Sequence, residues 1–323
     1  MLNKHLNITE AKEQTTTPKV LKPDKKFKEE GFIDKVLNFI RARKGLSTKL
    51  LLAPGVLWMV LFLIVPLLAM IYVSFWTQSS TTIKPIVTTE NYKYFFSSTV
   101  YLSVLWNTVK IWLIVLISTL VLGYPVAFFI SQMVRSERMQ TVLLLICIIP
   151  FWTSFLIRVL AWKPMLGIQG ALNIVLEYFH IINHPIEVLL YSEFGMILGM
   201  IQIYVVFMVG PIAFSLGRID HNLVEAAQDL GASFLQIFRD IYWPLSKPGV
   251  IAGSIFVTVM VLGEFAIPAA LGGKKVNLLG NIILTQVGSL KWAFASVVGV
   301  VLTIVIAIAV SLLLRVVNLR KQI

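Results

Sequence analysis

Six long apolar runs constrain this chain more than any other feature. They cover residues 51–75, 104–131, 141–162, 194–216, 249–271 and 292–315. A helix needs about 20 apolar residues to cross the hydrocarbon of a bilayer. The chain is 57% hydrophobic with a mean hydropathy of +0.83, too apolar for a soluble domain of 323 residues. The runs lack the two-residue alternation of a barrel, and helices are then the remaining way to satisfy backbone groups in lipid. The expected fold is all-α: a polytopic helical membrane protein with six transmembrane helices.

Charge sets the expected orientation. Twelve of the 28 Lys and Arg residues precede position 51. The turn after the second run adds Arg135 and Arg138. The segment before the fifth run adds Arg218, Arg239 and Lys247, and the tail adds Arg315, Arg320 and Lys321. One side of the membrane thus holds 20 basic residues against seven on the other, with Lys110 inside the second run. By the positive-inside rule, both termini lie in the cytoplasm. The net charge of +12 reports topology. The basic stretch carries no nucleic-acid-binding motif, so nucleic acid is not an expected partner.

The polar N-terminal stretch divides in two. Residues 1–30 carry Thr15-Thr16-Thr17-Pro18 and a lysine run and are expected to be disordered. Residues 31–48 place Phe32, Ile33, Val36, Leu37 and Ile40 on one helical face, with Lys35, Arg41 and Arg43 beside it. An interfacial amphipathic helix is expected there. The transmembrane domain proper then covers 51–318.

Residues 218–248 form a polar island between the fourth and fifth runs. Asn222 with Glu225 has capping-box spacing, which starts a helix at Leu223. Gly231 supplies a left-handed stop. Ser233 with Gln236 is a second capping box, starting a helix at Phe234. Pro244 is expected to end that helix, because the residue before a proline is driven from helical backbone angles. Leu223, Ala226, Ala227 and Leu230, then Phe234, Ile237, Phe238 and Ile241, give each helix an apolar face. Such a cassette either docks a partner or lies on lipid headgroups.

Catalytic signals are missing. The histidines His5, His180, His184 and His221 show no metalloprotease spacing. His180, His184 and Glu177 lack a completing ligand at metal spacing. Cys147 stands alone inside an apolar run. No Gly-rich phosphate loop ending in Gly-Lys-Ser/Thr occurs, so ATP, if used, is handled by another chain. No metal and no cofactor are expected.

The run Glu225-Ala226-Ala227, three residues, Gly231, nine residues, Ile241 and then Pro244 resembles the EAA loop of permease subunits in type I, binding-protein-dependent ABC importers. Trp243 stands where that family has leucine. Asn107-Thr108 and Gly123-Tyr124-Pro125-Val126-Ala127 resemble the same family. Pro150-Phe151-Trp152-Thr153-Ser154-Phe155-Leu156-Ile157-Arg158, Leu189-Leu190-Tyr191-Ser192 and Gly263-Glu264-Phe265-Ala266-Ile267-Pro268 are similar to the first-subunit type of the spermidine/putrescine permease group.

The resemblance implies a non-catalytic subunit of a bacterial inner membrane. Its implied partners are a second related permease, an ATP-binding cassette ATPase dimer and an extracytoplasmic solute-binding protein, with a small cationic solute as cargo. Glu225, Ala226, Ala227, Gly231, Ile241 and Pro244 are the implied coupling residues. Glu225 either caps its helix or pairs with a basic ATPase residue.

For the pathway, Glu264 is the leading candidate, since an ionisable group inside a span usually faces a cavity or a partner. It either meets a cargo ammonium group or pairs with Lys110 or Arg158. Trp152, Tyr204 and Phe207 are candidate cation–π walls, or ordinary span packing. Arg158 is expected to snorkel from the outer end of the third run. Permeases for other small organic solutes share much of this pattern. An ion-driven transporter would need inverted repeats and interrupted helices, and no repeat is evident.

Overall fold

The computed structural model describes residues 46–79, 82–273 and 276–316. The expected disordered stretch 1–30, and the interfacial helix at 31–48 apart from its last three residues, lie outside the described residues. The chain divides into a unit ending at Phe62 and a larger one beginning at Leu63. In the first, the helix Leu46–Met59 leads into a widened π turn, with the rings of Trp58 and Phe62 4.2 Å apart.

Among the described residues, six helices are long and apolar enough to cross a membrane: Leu52–Ser74, Thr99–Met133, Phe155–Tyr178, Glu193–Leu216, Phe234–Leu262 and Trp292–Arg315. These are called the first to sixth spans. Four fall close to their expected places. The third and fifth do not.

The run expected at 141–162 is cut in two. A helix Glu137–Ile148 gives way to a tight 3-10 turn Ile149–Trp152, and a new helix starts at Phe155. Pro150 is the cause: it has no N–H to continue the ladder. Its carbonyl instead accepts the Thr153 hydroxyl at 2.7 Å. The third span then bends again between Leu166 and Ala171. Asn173 staples that outer loop, donating to the Gly167, Ile168 and Ile186 carbonyls and accepting the Ile186 N–H.

The expectation of an all-α chain has one small exception among the described residues. Trp76–Ser79 and Thr82–Val87 pair as an antiparallel hairpin. The Gln78 side chain ties this hairpin to the start of the sixth span, through the Leu290 carbonyl and the Ala293 N–H.

The core of the larger unit sits where the second, fourth and fifth spans meet. Close approach comes from glycine. A Cβ at Gly249 would collide with the Pro211 carbonyl and the Ser215 side chain, and one at Gly253 would stand 2.9 Å from the Met208 sulfur. Small residues four apart let membrane helices pack backbone to backbone, where the hydrophobic effect gives no net drive. Hydrogen bonds add to this packing. Tyr124 and Ser246 share one at 2.9 Å, Trp112 donates to Thr258 at 3.0 Å, and Gln132 donates to the Leu216 carbonyl at 2.7 Å.

Candidate functional site

The polar island folds as two helical pieces joined by a tight corner. The first helix is His221–Asp229, capped by Asp220, whose carboxylate accepts the Asn222 N–H at 2.9 Å. The expected Asn222–Glu225 box does not form, because the helix starts two residues earlier and Asn222 is already inside its first turn. Gly231 ends the piece at a φ of +83°, as its position suggested. The second capping box is present: Ser233 accepts the Gln236 N–H at 3.4 Å, and Gln236 accepts the Ser233 N–H at 2.7 Å.

Pro244 does not end the second helix, contrary to expectation. Phe234–Ile237 passes through a π turn, Phe238–Tyr242, into the helix Trp243–Leu262. The Trp243 N–H bonds to the Phe238 carbonyl, five residues back. The wider turn gives the proline ring room and leaves its missing N–H without consequence. The second cassette helix and the fifth span are therefore one continuous helix.

The apolar residues of the cassette split between two faces. Val224, Ile237 and Tyr242 are buried against the bundle, with Ala227, Phe238 and Ile241 packed beside them. The Phe128 ring meets Tyr242 edge-on at 4.9 Å. Leu223, Leu230 and Leu235 point the other way, Leu230 being 89% and Leu235 73% exposed, while Phe234 is exposed but also meets the Phe128 ring edge-on at 6.1 Å. Ala226 is also exposed, and Pro244 is half-buried. Glu225 is exposed and does not cap its helix. It lines a polar cavity of about 840 Å3 together with Arg135, Glu137, Gln140, His221 and Gln228. Among the described residues it has no hydrogen bond or ion pair.

The candidate pathway residues fall into two places. Glu264 is only 6% exposed and follows the end of the fifth span. The expected span to residue 271 is thus broken at Gly263. One Glu264 carboxylate oxygen accepts the N–H groups of Phe265, Ala266 and Ile267 at 2.9, 2.6 and 3.1 Å. The other accepts the buried Tyr204 hydroxyl. Glu264 therefore restarts the helix after the break and ties it to the fourth span. Neither alternative pairing partner is bonded to it: Lys110 pairs with Glu193 at 2.8 Å, and Arg158 forms no ion pair among the described residues.

Phe207 stands beside Tyr204, its ring centroid 6.5 Å away. It meets Phe151 edge-on at 5.0 Å and helps line an apolar cavity of about 310 Å3 with Cys147 and Phe256. Trp152 is 83% exposed. Among the described residues, no hydrogen bond or ring contact joins it to the other three. Asp220 and the Tyr204–Glu264 link were missed in the sequence. The first follows the Asx capping rule two residues earlier, while the second joins residues 60 apart and leaves no local sign.

Comparison with known proteins decides the family. Residues 123–323 match the model of the binding-protein-dependent transport system inner membrane component. The chain belongs to this family. It is a permease of an ABC importer, a multi-pass inner-membrane protein. It is 35% identical over 260 residues to the spermidine/putrescine transport system permease protein PotB of Haemophilus influenzae, covering 80% of this chain and 90% of that one. Against PotB of Escherichia coli K12 the identity is 36% over 253 residues, covering 78% and 90%. The fold is similar to a solved bacterial alginate ABC transporter in complex with an alginate pentasaccharide-bound periplasmic protein. That match has a TM-score of 0.71 at 17% identity, covering 89% of the permease and 99% of the solved chain.

Proposed function

We propose that this permease forms half of a polyamine pathway, the other half being a second, related permease, and that an ATPase dimer drives both from the cytoplasm. An extracytoplasmic solute-binding protein delivers the cargo. The likeness to two PotB proteins over most of the chain supports spermidine or putrescine as cargo. The charge asymmetry supports cytoplasmic termini and a cytoplasmic cassette.

The observation that carries the mechanism is the continuity of the cassette with the fifth span. The exposed ridge Leu223, Leu230, Phe234 and Leu235 suits an apolar groove on the ATPase, since several large apolar side chains at the end of a stiff element mark a docking patch. Glu225, Ala226, Ala227, Gly231, Ile241 and Pro244 serve this coupling in different ways. Glu225 faces the neighbouring chain, Gly231 makes the corner, and Ala227, Ile241 and Pro244 seat the lever against the bundle. Ala226 keeps the outer face shallow. ATP closure of the motor pulls this lever, and hydrolysis releases it.

In the membrane, Phe207 contributes to the pathway wall, with the buried Tyr204–Glu264 pair packed behind it. The oxygens of Glu264 are occupied by backbone and tyrosine, so it acts on an ammonium cargo through its charge. Trp152 meets cargo or the second permease from the exposed side of its turn.

Leu235→Asp tests the docking face. The side chain is exposed here, so the permease should insert and fold normally while ATPase co-purification falls at least tenfold. Undiminished co-purification would remove the ridge from the interface.

A further inference from the structure

Arg158 is the membrane charge that the mechanism leaves unused. It follows the break at Pro150 and lies four residues into the helix Phe155–Leu166. Its depth can be read from the fourth span. With Ala161, Trp162, Met165 and Gln202 it lines a cavity of about 260 Å3, and Trp162 donates to Gln202 across that helix pair at 3.4 Å. Gln202 stands nine residues after Glu193 and fourteen before Leu216. At about 1.5 Å per residue that is about 14 Å from one end of the span and about 21 Å from the other. Measured along the fourth span, Arg158 is level with the spanning segment rather than with its end, and instead of reaching outward the guanidinium folds back over the Phe151 ring, 4.5 Å from its centroid.

A guanidinium remains charged at this depth. A ring contact alone offsets only part of the cost of holding an arginine within a span. The Nε atom is buried and has no hydrogen-bond partner. Among the described residues Arg158 has no ion pair, because the only pairs are Lys110–Glu193 and Arg239–Asp240. Glu264 is the acidic group nearby, but its oxygens are taken by three N–H groups and the Tyr204 hydroxyl. Glu264 can therefore act on Arg158 only through its charge, and a hydrogen-bonded acidic partner for the guanidinium has to come from outside the chain. Headgroup phosphates lie too far away along the normal, and a polyamine brings only positive charge.

We infer that Arg158 pairs with a carboxylate side chain of the second permease, across the shared pathway. This rests on the two-permease assembly proposed above. The exposed flank of the same helix, Leu156, Ile157, Leu160 and Met165, gives the apolar surround such a contact needs. The guanidinium then stands in for cargo: it neutralises the partner's acid while the pathway is empty, and an arriving ammonium group takes its place.

A double-mutant cycle in the complete importer tests this. Arg158→Gln and Arg158→Lys would each be combined with carboxylate-to-amide changes at every Asp and Glu in the spans of the second permease. ATP-driven putrescine uptake and the amount of assembled complex are the readouts. Arg158→Gln should lower uptake about tenfold in a normally assembled complex, with Arg158→Lys retaining most of it. One amide change in the partner should cause a similar loss, and the double variant should be no worse than either single. If Arg158→Gln fails to accumulate, the same cycle on Arg158→Lys must still show coupling to a single partner carboxylate. Normal uptake by Arg158→Gln, purely multiplicative losses at every partner position, or a loss confined to solutes bearing an acidic group would each overturn the assignment. If the unmodified chain recruits no second permease, the assembly itself is wrong, and that is visible before any substitution is made.

Discussion

Glu264 shows how one residue serves both the fold and the proposed transport role. As a cap it satisfies three N–H groups left open where the fifth span breaks, and as an acceptor it holds Tyr204. Glu264→Gln separates these duties from charge. The amide oxygen still accepts the N–H groups, so the protein should fold and assemble normally. Removing a full charge near the pathway is worth on the order of 1–2 kcal/mol in a partly polar site. Apparent affinity for putrescine should therefore weaken about tenfold in an uptake assay. Glu264→Ala removes the cap as well, at about 1 kcal/mol, and leaves the buried Tyr204 hydroxyl unpaired at about 1–3 kcal/mol more. It should lower thermal stability measurably where the Gln variant does not. Unchanged affinity in Glu264→Gln would confine the residue to its structural part.

At the scale of elements, the decisive object is the helix Phe234–Leu262. Its continuity through Pro244 makes the cassette a rigid extension of a span. Replacing both Arg239 and Asp240 with glycine tests this, because both are exposed and sit in the π turn. Each glycine costs about 1 kcal/mol of helix stability and adds a soft joint. ATPase binding should persist, and ATP should still be hydrolysed, while uptake per ATP falls several-fold. Equal coupling ratios in the variant and the parent would show that the lever need not be stiff. What the sequence revealed follows the range of the interactions involved. Gly231 and the Ser233–Gln236 box act within a few residues and were legible. Pro244 obeyed a local rule that a π turn overrides, and the apolar run at 141–162 concealed the break that Pro150 makes. The approach of Gly249 to Pro211 and Ser215, that of Gly253 to Met208, and the Glu264 link to Tyr204 depend on which helices become neighbours. No window along the chain contains that information.

For the whole molecule, three spans packed through glycine and polar bonds form a firm body, and the cassette enters it as the end of the fifth span. The remaining spans carry many exposed apolar side chains, which suits a lipid surround. The proposed mechanism requires such a body to move as a unit when pulled at one end by a separate ATPase. The most direct test is solute flux in proteoliposomes containing both permeases and the binding protein, with and without the ATPase dimer and ATP. Concentrative putrescine uptake is predicted only when the ATPase and ATP are both present. Concentrative uptake that persists without the ATPase, driven by an ion gradient, would contradict the account.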